Sequence, residues 1–455
     1  MMAKRICFVL FLAAIAGCGK RDTQASALRG EQESRGAATA PASAPTPAAV
    51  YVIGNDRGML RPCGCSKPKL GGIDRRLAFF KALPEAKRAR SAIVAAGSLV
   101  TTGGRQQELK LESFVQALSA LGVGAFVPTD LDLQVGTSWW RSTGMQLATF
   151  PLVSTNLEWR GERLFASHAV VKVDGVEVVV VGYVAPQGNA LNEPDVLAVE
   201  APDVRPIILA LGEGGVRRTL LVFTTAAPKV AKAWIESSGL AGAAARVAIA
   251  HTGPADLPML DHLGAMPILD VGQKGRNVAE WSWPGLDRLD RHVLDDAAGS
   301  DPMGKDLLQL YRDAVGFEDL LQRVPKIGHV PGEFAGDASC KTCHPTADDV
   351  WRKSSHARAW ATLVESGDTA DPECVRCHVV AFGVEGGFDA AAKTPVNVQC
   401  EACHGPSKDH VENLTPVPRG KPEAPFCVTC HDIENSPHFE FAPYWEKIKH
   451  GREPK

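Results

Sequence analysis

Between residues 50 and 300 short apolar runs alternate with stretches of helical periodicity. The runs Val50–Ile53, Ala92–Ala96, Leu152–Ser154, Val176–Val184, Thr219–Phe223, Val247–Ala250 and Pro267–Val271 predict strands. Helical patterns at Asp74–Leu83, Leu109–Leu121, Val204–Gly212 and Val230–Gly239 fall between them. Such alternation predicts an α/β sandwich, and a segment of this length can bury a large core. Residues 301–332 read as a connecting helix and linker. The helix is expected over 303–324, with Leu307, Leu308, Tyr311, Val315, Leu320 and Leu321 on its apolar side. It is expected to pack the regions on either side of it together. The rhythm stops at residue 333. From there to 455 large apolar residues are few, and the pattern predicts a mainly α, loop-rich domain of short helices.

The first 49 residues follow neither pattern. Lys4 and Arg5 precede the apolar run Ile6–Ala16, which is too short to span a bilayer and suits a signal peptide. Ile15-Ala16-Gly17-Cys18 resembles a bacterial lipobox, after which Cys18 would be the lipidated first residue, so residues 1–18 are expected to be a lipoprotein signal. Cleavage after Ala14-Ile15-Ala16 is the alternative. Residues 19–49, rich in Ala, Ser, Thr, Gly and Pro, predict a disordered tether with a reach of about 30 Å. The expected setting is the bacterial periplasm, with a lipid anchor to the membrane.

Chemistry concentrates in residues 333–455. Cys340-Lys-Thr-Cys343-His344, Cys374-Val-Arg-Cys377-His378, Cys400-Glu-Ala-Cys403-His404 and Cys427-Val-Thr-Cys430-His431 are four copies of one motif. Random scatter of the cysteines and histidines gives roughly 0.01 copies. Cys-x-x-Cys-His is the attachment signature of c-type haem: two thiols add to the vinyl groups and the histidine reaches the iron. Zinc ribbons also use Cys-x-x-Cys pairs, but they do not need a histidine after each one. Four haem c groups are therefore expected. With so few large apolar residues, the porphyrins would form most of the core, against Trp351, Trp360, Phe382, Phe388, Tyr444 and Trp445.

All seven methionines lie at or before Met303, so this region offers no His/Met ligation of its own. Bis-histidine ligation follows as the expectation, with potentials below those of His/Met cytochromes. The candidate second ligands are His356, His410 and His450, with His329 and His438 as weaker candidates.

The run Asp337-Ala-Ser-Cys340-Lys-Thr-Cys343-His344, then Trp351-Arg-Lys-Ser-Ser-His356-Ala357, resembles the cytochrome c554 family of tetrahaem cytochromes. So do Val398-Gln-Cys400-Glu-Ala-Cys403-His404-Gly405-Pro406 with His410, and Tyr444-Trp445-Glu-Lys-Ile-Lys-His450. The resemblance implies stacked haem pairs and electron transfer, in some members within nitrogen-oxide metabolism. It also implies three irons with two histidines, whose distal positions match His356, His410 and His450, and one five-coordinate iron. It requires no ligand at His438.

Most of residues 50–285 carries a second resemblance, to the metallophosphoesterase domain of the 5'-nucleotidase family. Val52-Ile-Gly-Asn55-Asp56-Arg57-Gly58, Gly71-Gly-Ile-Asp74-Arg-Arg76, Ala95-Ala-Gly97-Ser98, Phe150-Pro-Leu-Val-Ser-Thr-Asn156-Leu157 and Ala250-His251-Thr252-Gly253 follow that family's order. The family's metal ligands are mostly replaced. Asn55-Asp56-Arg57 stands for Asp-x-His, Ser98 for an Asp, Thr129-Asp130 for Asn-His, and Thr224 or Thr225 for a mid-domain His. Only His251 survives as a ligand, and one imidazole cannot hold two metals. A scaffold without its metals is the expectation, and Asp56 and Asp130 as shifted ligands are the alternative. Cys63-Gly64-Cys65 stands beside that site as a candidate redox or metal pair, with a disulfide or inert thiols as the other readings.

The expected function is electron transfer, with an enzyme at an open iron or a surviving phosphoesterase as alternatives. Residues 333–455 hold 19 Asp and Glu against 13 Lys and Arg, which would suit basic redox partner proteins. No nucleic-acid partner is expected, and the sequence is silent on oligomeric state.

Overall fold

The computed structural model describes residues 47–62, 68–186, 195–328, 330–432, 435–436 and 438–451. Two sheets face each other. The first runs in the order Leu289–Val293, Asn277–Ser282, Ala49–Gly54, Ala92–Ala96, Ala125–Val127. Its last three strands are parallel and its first two antiparallel. The second runs Met259–Leu263, Met266–Asp270, Arg246–His251, Thr219–Thr224, Val176–Tyr183, Ala169–Val173, with a parallel centre and antiparallel edges.

The central strands are continuous apolar runs because both their faces are covered. Val50, Val52, Val94 and Val127 point between the sheets and meet Val178, Val180, Leu221, Phe223 and Ala250. The alternate residues Tyr51 and Ile53 face a layer built from the helices Ile73–Ala82, Arg105–Leu121 and Pro302–Phe317. On the other side Val179, Val181, Leu220, Val222 and Ile249 face the helices Arg205–Gly212 and Pro228–Ser237. The result is a four-layer α/β sandwich.

Leu152–Ser154 is not a strand. Its residues make isolated bridges, Phe126 to Leu152 and Val153 to Ala166, because the first sheet has already ended at Ala125–Val127. The connecting helix is shorter than its apolar periodicity suggests. Asp301 caps it, its carboxylate accepting from the Met303 amide at 3.0 Å, and it ends at Phe317 rather than continuing to 324. The chain then turns at Asp319, where φ is 54°, and the turn brings Leu320 and Leu321 back into the core.

Beyond residue 333 helices are short, the longest being Pro345–Lys353. The buried apolar cluster here is small: Leu321, Leu363, Val375, Val379 and Phe388. The linker closes onto it through the amides of Ile327 and Gly328, which donate to the Gly383 carbonyl at 3.1 and 3.2 Å. The α/β region and the C-terminal region share one compact unit.

Leu307 is the pivot of the connecting helix, 4% exposed within the first helical layer. Leu307→Ala is expected to cost about 2–5 kcal/mol of unfolding free energy in chemical denaturation followed by circular dichroism. A loss under about 1 kcal/mol would show that the helix is not part of this core.

Candidate haem-binding sites

Each Cys-x-x-Cys-His motif sits on a helical turn. The His344 amide donates to the Cys340 carbonyl at 2.9 Å, that of His431 to Cys427 at 2.9 Å, and that of His378 to Val375 at 2.8 Å, while Cys400–His404 is itself a helix. A turn of this kind puts residues i, i+3 and i+4 on one face. The spacing thus presents two thiols and one imidazole together.

The structure pairs three of the four motif histidines. His344 meets His410 with ring centres 6.1 Å apart, His404 meets His450 at 5.8 Å, and His431 meets His356 at 6.2 Å. Two imidazoles binding one metal from opposite sides, each with a metal–nitrogen bond of about 2 Å, have ring centres roughly 6 Å apart. Direct hydrogen bonding between the rings would draw them closer. The gap therefore fits an iron between them.

The other ring nitrogen is occupied in most of these histidines. Nδ1 donates to a backbone carbonyl in His378 (Ala359, 2.5 Å), His404 (Arg419, 2.9 Å) and His410 (Thr415, 2.5 Å). In His431 it lies 3.1 Å from the Ser436 hydroxyl. A carbonyl can only accept, so the proton resides on Nδ1 and the Nε2 lone pair is free for a metal. Burial holds His356, His378 and His431 below the usual imidazole range, which favours the neutral, ligating form. The donor set therefore fits haem c.

His378 differs from the other three. Among the described residues no second histidine pairs with it. His438 is exposed and pairs with none, and His329 lies outside the described residues.

The motif cysteines form no disulfides. They cluster across motifs instead: Cys340 is hydrogen-bonded to Cys400, and Cys377 to Cys430. Cys403 interacts electrostatically with Cys427 and Cys430. First and third motifs thus adjoin, as do second and fourth. Among the described residues no three His, Cys, Asp or Glu side chains are grouped as a metal ion alone would need.

Glu401, inside the third motif, is a residue that motif reading passes over. Its buried carboxylate accepts from the amides of Ala335, Gly336 and Ser407, each at 2.8 Å, and so ties the third motif to the segment entering the first. The x positions of Cys-x-x-Cys are free in the haem chemistry, so only the buried carboxylate itself hints at this role.

The other candidate site lies at the carboxyl ends of the strands. Asn55 donates its side-chain amide to the Gly272 carbonyl at 2.7 Å. Asp56 is fully buried and ion-paired with Arg76, the Nη1 to Oδ2 distance being 3.2 Å. The backbone of Gly275 covers that pair so closely that a Cβ there would collide with both partners. Asp56 is thus neutralised by protein, which removes it as a shifted metal ligand. The Ser98 and Thr129 hydroxyls bond each other at 2.7 Å. Asp130 and Asp132 are both buried nearby, the more deeply buried being Asp132. Asp132 accepts from the Leu99 and Thr129 amides at 2.6 and 2.9 Å, and burial pushes it up to about 7 despite those bonds. His251 is half-buried beside Asp270. Cys18, Cys63 and Cys65 lie outside the described residues.

Comparison with known proteins agrees with this division. Residues 339–405 match the family of cytochrome c554 and c-prime, and residues 394–435 match the doubled CXXCH motif. Cytochrome c-554 of Nitrosomonas europaea is 31% identical over 93 residues, which are 17% of this chain and 40% of the relative. The chain therefore spans less than half the length of the relative it matches. Among solved structures, the 5'-nucleotidase precursor from Thermus thermophilus is similar at 17% identity and a TM-score of 0.46, over 65% of this chain and 63% of that one. NAD nucleotidase from Haemophilus influenzae is similar at 13% identity and a TM-score of 0.47, over 65% and 64%. At these identities no activity follows from the likeness. The C-terminal region is that of a multihaem c-type cytochrome.

Two expectations follow. His356→Ala, His410→Ala and His450→Ala should each convert one haem from low-spin to high-spin in the EPR spectrum of the holoprotein, while His438→Ala should change little. A spectrum insensitive to all three would refute the pairing. At the strand ends, no metal-dependent nucleotide hydrolysis is expected with added manganese, and manganese-dependent turnover that disappears in His251→Ala would restore the hydrolase reading.

Proposed function

We propose that this chain is an electron-transfer protein with four haem c groups, one on each motif. They would be held by Cys340, Cys343 and His344; Cys374, Cys377 and His378; Cys400, Cys403 and His404; and Cys427, Cys430 and His431. The observation that carries the reading is the three histidine pairs with ring centres about 6 Å apart. Bound haem c supplies a one-electron ferric/ferrous couple.

The protein's part is to hold and tune. The paired histidines would supply nitrogen ligands to the haem irons. Carbonyls that accept from Nδ1 increase the electron donation of each imidazole and lower the potential. The thiol contacts linking first to third and second to fourth motifs, with Cys403 near the fourth, support closely spaced cofactors suited to relaying electrons. The excess of acidic residues supports a basic redox partner. The N-terminal pattern supports export to the bacterial periplasm and a lipid anchor at Cys18.

A second reading rests on His378. With no second histidine paired to it among the described residues, its iron is the place where a small nitrogen species could be oxidised or reduced.

The test of the main reading is haem stoichiometry. The mature protein, made with a working haem-attachment system, should carry four haems that survive acid–acetone extraction, counted by intact mass and pyridine haemochrome absorbance. Cys→Ala at Cys340, Cys374, Cys400 or Cys427 should weaken or abolish attachment at that site only. Bound zinc with no haem absorbance would overturn the proposal.

A further inference from the structure

The second motif is the one most firmly gripped by the α/β region. Asp371 caps the helix Pro372–Val375, accepting from the Glu373 amide at 2.9 Å. The same carboxylate accepts from Gln106 at 2.7 Å and from the Tyr311 hydroxyl at 3.0 Å. Glu373 accepts from Gln107 at 2.6 Å and Lys110 at 2.5 Å. Asp368, 2% exposed, joins Arg61 and Arg312, the latter at 2.9 Å.

Within this set Arg61 is singular. It leaves the α/β region near the carboxyl end of the first strand, and its guanidinium donates to the Cys374 sulfur as well as pairing with Asp368. Its side chain is about two-thirds buried. The contact joins residues 313 positions apart in the chain. Once Cys374 is alkylated its sulfur is a thioether, still a weak acceptor, so a cation stays beside the ring edge.

We infer that Arg61 is a positioning residue through which the α/β region raises the reduction potential of the haem on Cys374, Cys377 and His378. The inference rests on the proposed haem at that motif. Its physics is Coulombic. The ferric centre carries one more positive charge than the ferrous one, so a nearby cation disfavours the oxidised form, and partial burial weakens solvent screening. Asp371 and Glu373 add negative charge at Cys374, and Asp368 pairs with both Arg61 and Arg312.

The test is spectroelectrochemistry of the four-haem protein, each haem taking one electron from the electrode. Arg61→Gln is expected to lower one of the four potentials by about tenfold in its reduction equilibrium, about 59 mV for a one-electron couple, and to leave three unchanged. Arg61→Lys, which keeps the charge, should stay near the wild type. No movement in Arg61→Gln, or equal movement in both variants, overturns the inference. If Arg61→Gln does not accumulate as holoprotein, Asp368→Asn decides: one potential should rise, and an unchanged set refutes the charge effect. A haem-free peptide of residues 374–385, released from the wild type by a glutamate-specific protease, would instead mark failure of the underlying haem assignment.

Discussion

A gap of about 6 Å between paired imidazoles is the constraint on which the C-terminal region depends. His344 with His410, His404 with His450, and His431 with His356 join short helices that share little apolar core. The buried cluster has five residues, one of them from the linker. So small a cluster cannot offset the ordering of over a hundred residues, each costing about 1–2 kcal/mol of backbone entropy. A haem held on each motif by its two cysteines would supply apolar surface and cross-links together. Folding and cofactor binding are then one process, as in small metal-dependent domains.

At the strand ends of the α/β region buried polar groups are held by the protein itself. Buried carboxylates need partners to offset their loss of water. Here Arg76 takes Asp56, and backbone amides with the Thr129 hydroxyl take Asp132. Nearby hydroxyls bond each other. On the region's lateral surface Arg61, Gln106, Gln107 and Lys110 hold the segment that carries the second motif.

What the sequence reveals follows from the range of each interaction. Covalent haem attachment demands contiguous spacing, so the four motifs are plain. Strands covered on both faces, such as Val178–Val181 and Leu220–Val222, are plain as apolar runs. The strands Asn277–Ser282 and Leu289–Val293 escape sequence reading because polar residues such as Glu280 and Arg291 interrupt the apolar pattern, and the pairing of Asn277–Ser282 with Ala49–Gly54 spans most of the α/β region. The connecting helix reads too long because Leu320 and Leu321 continue its periodicity after the backbone has turned. Which histidine meets which motif, and the reach of Arg61 to Cys374, depend on tertiary packing that no local pattern encodes.

The pairing of three motif histidines, with His378 lacking a second histidine among the described residues, is the arrangement on which the C-terminal region rests. Its most direct test is the quantitative EPR spectrum of the oxidised wild-type holoprotein, with spins integrated against haem content. The account predicts three low-spin ferric haems with bis-histidine character for each high-spin haem. Four low-spin haems would contradict the distinct environment of His378, and a high-spin majority would contradict the paired imidazoles altogether.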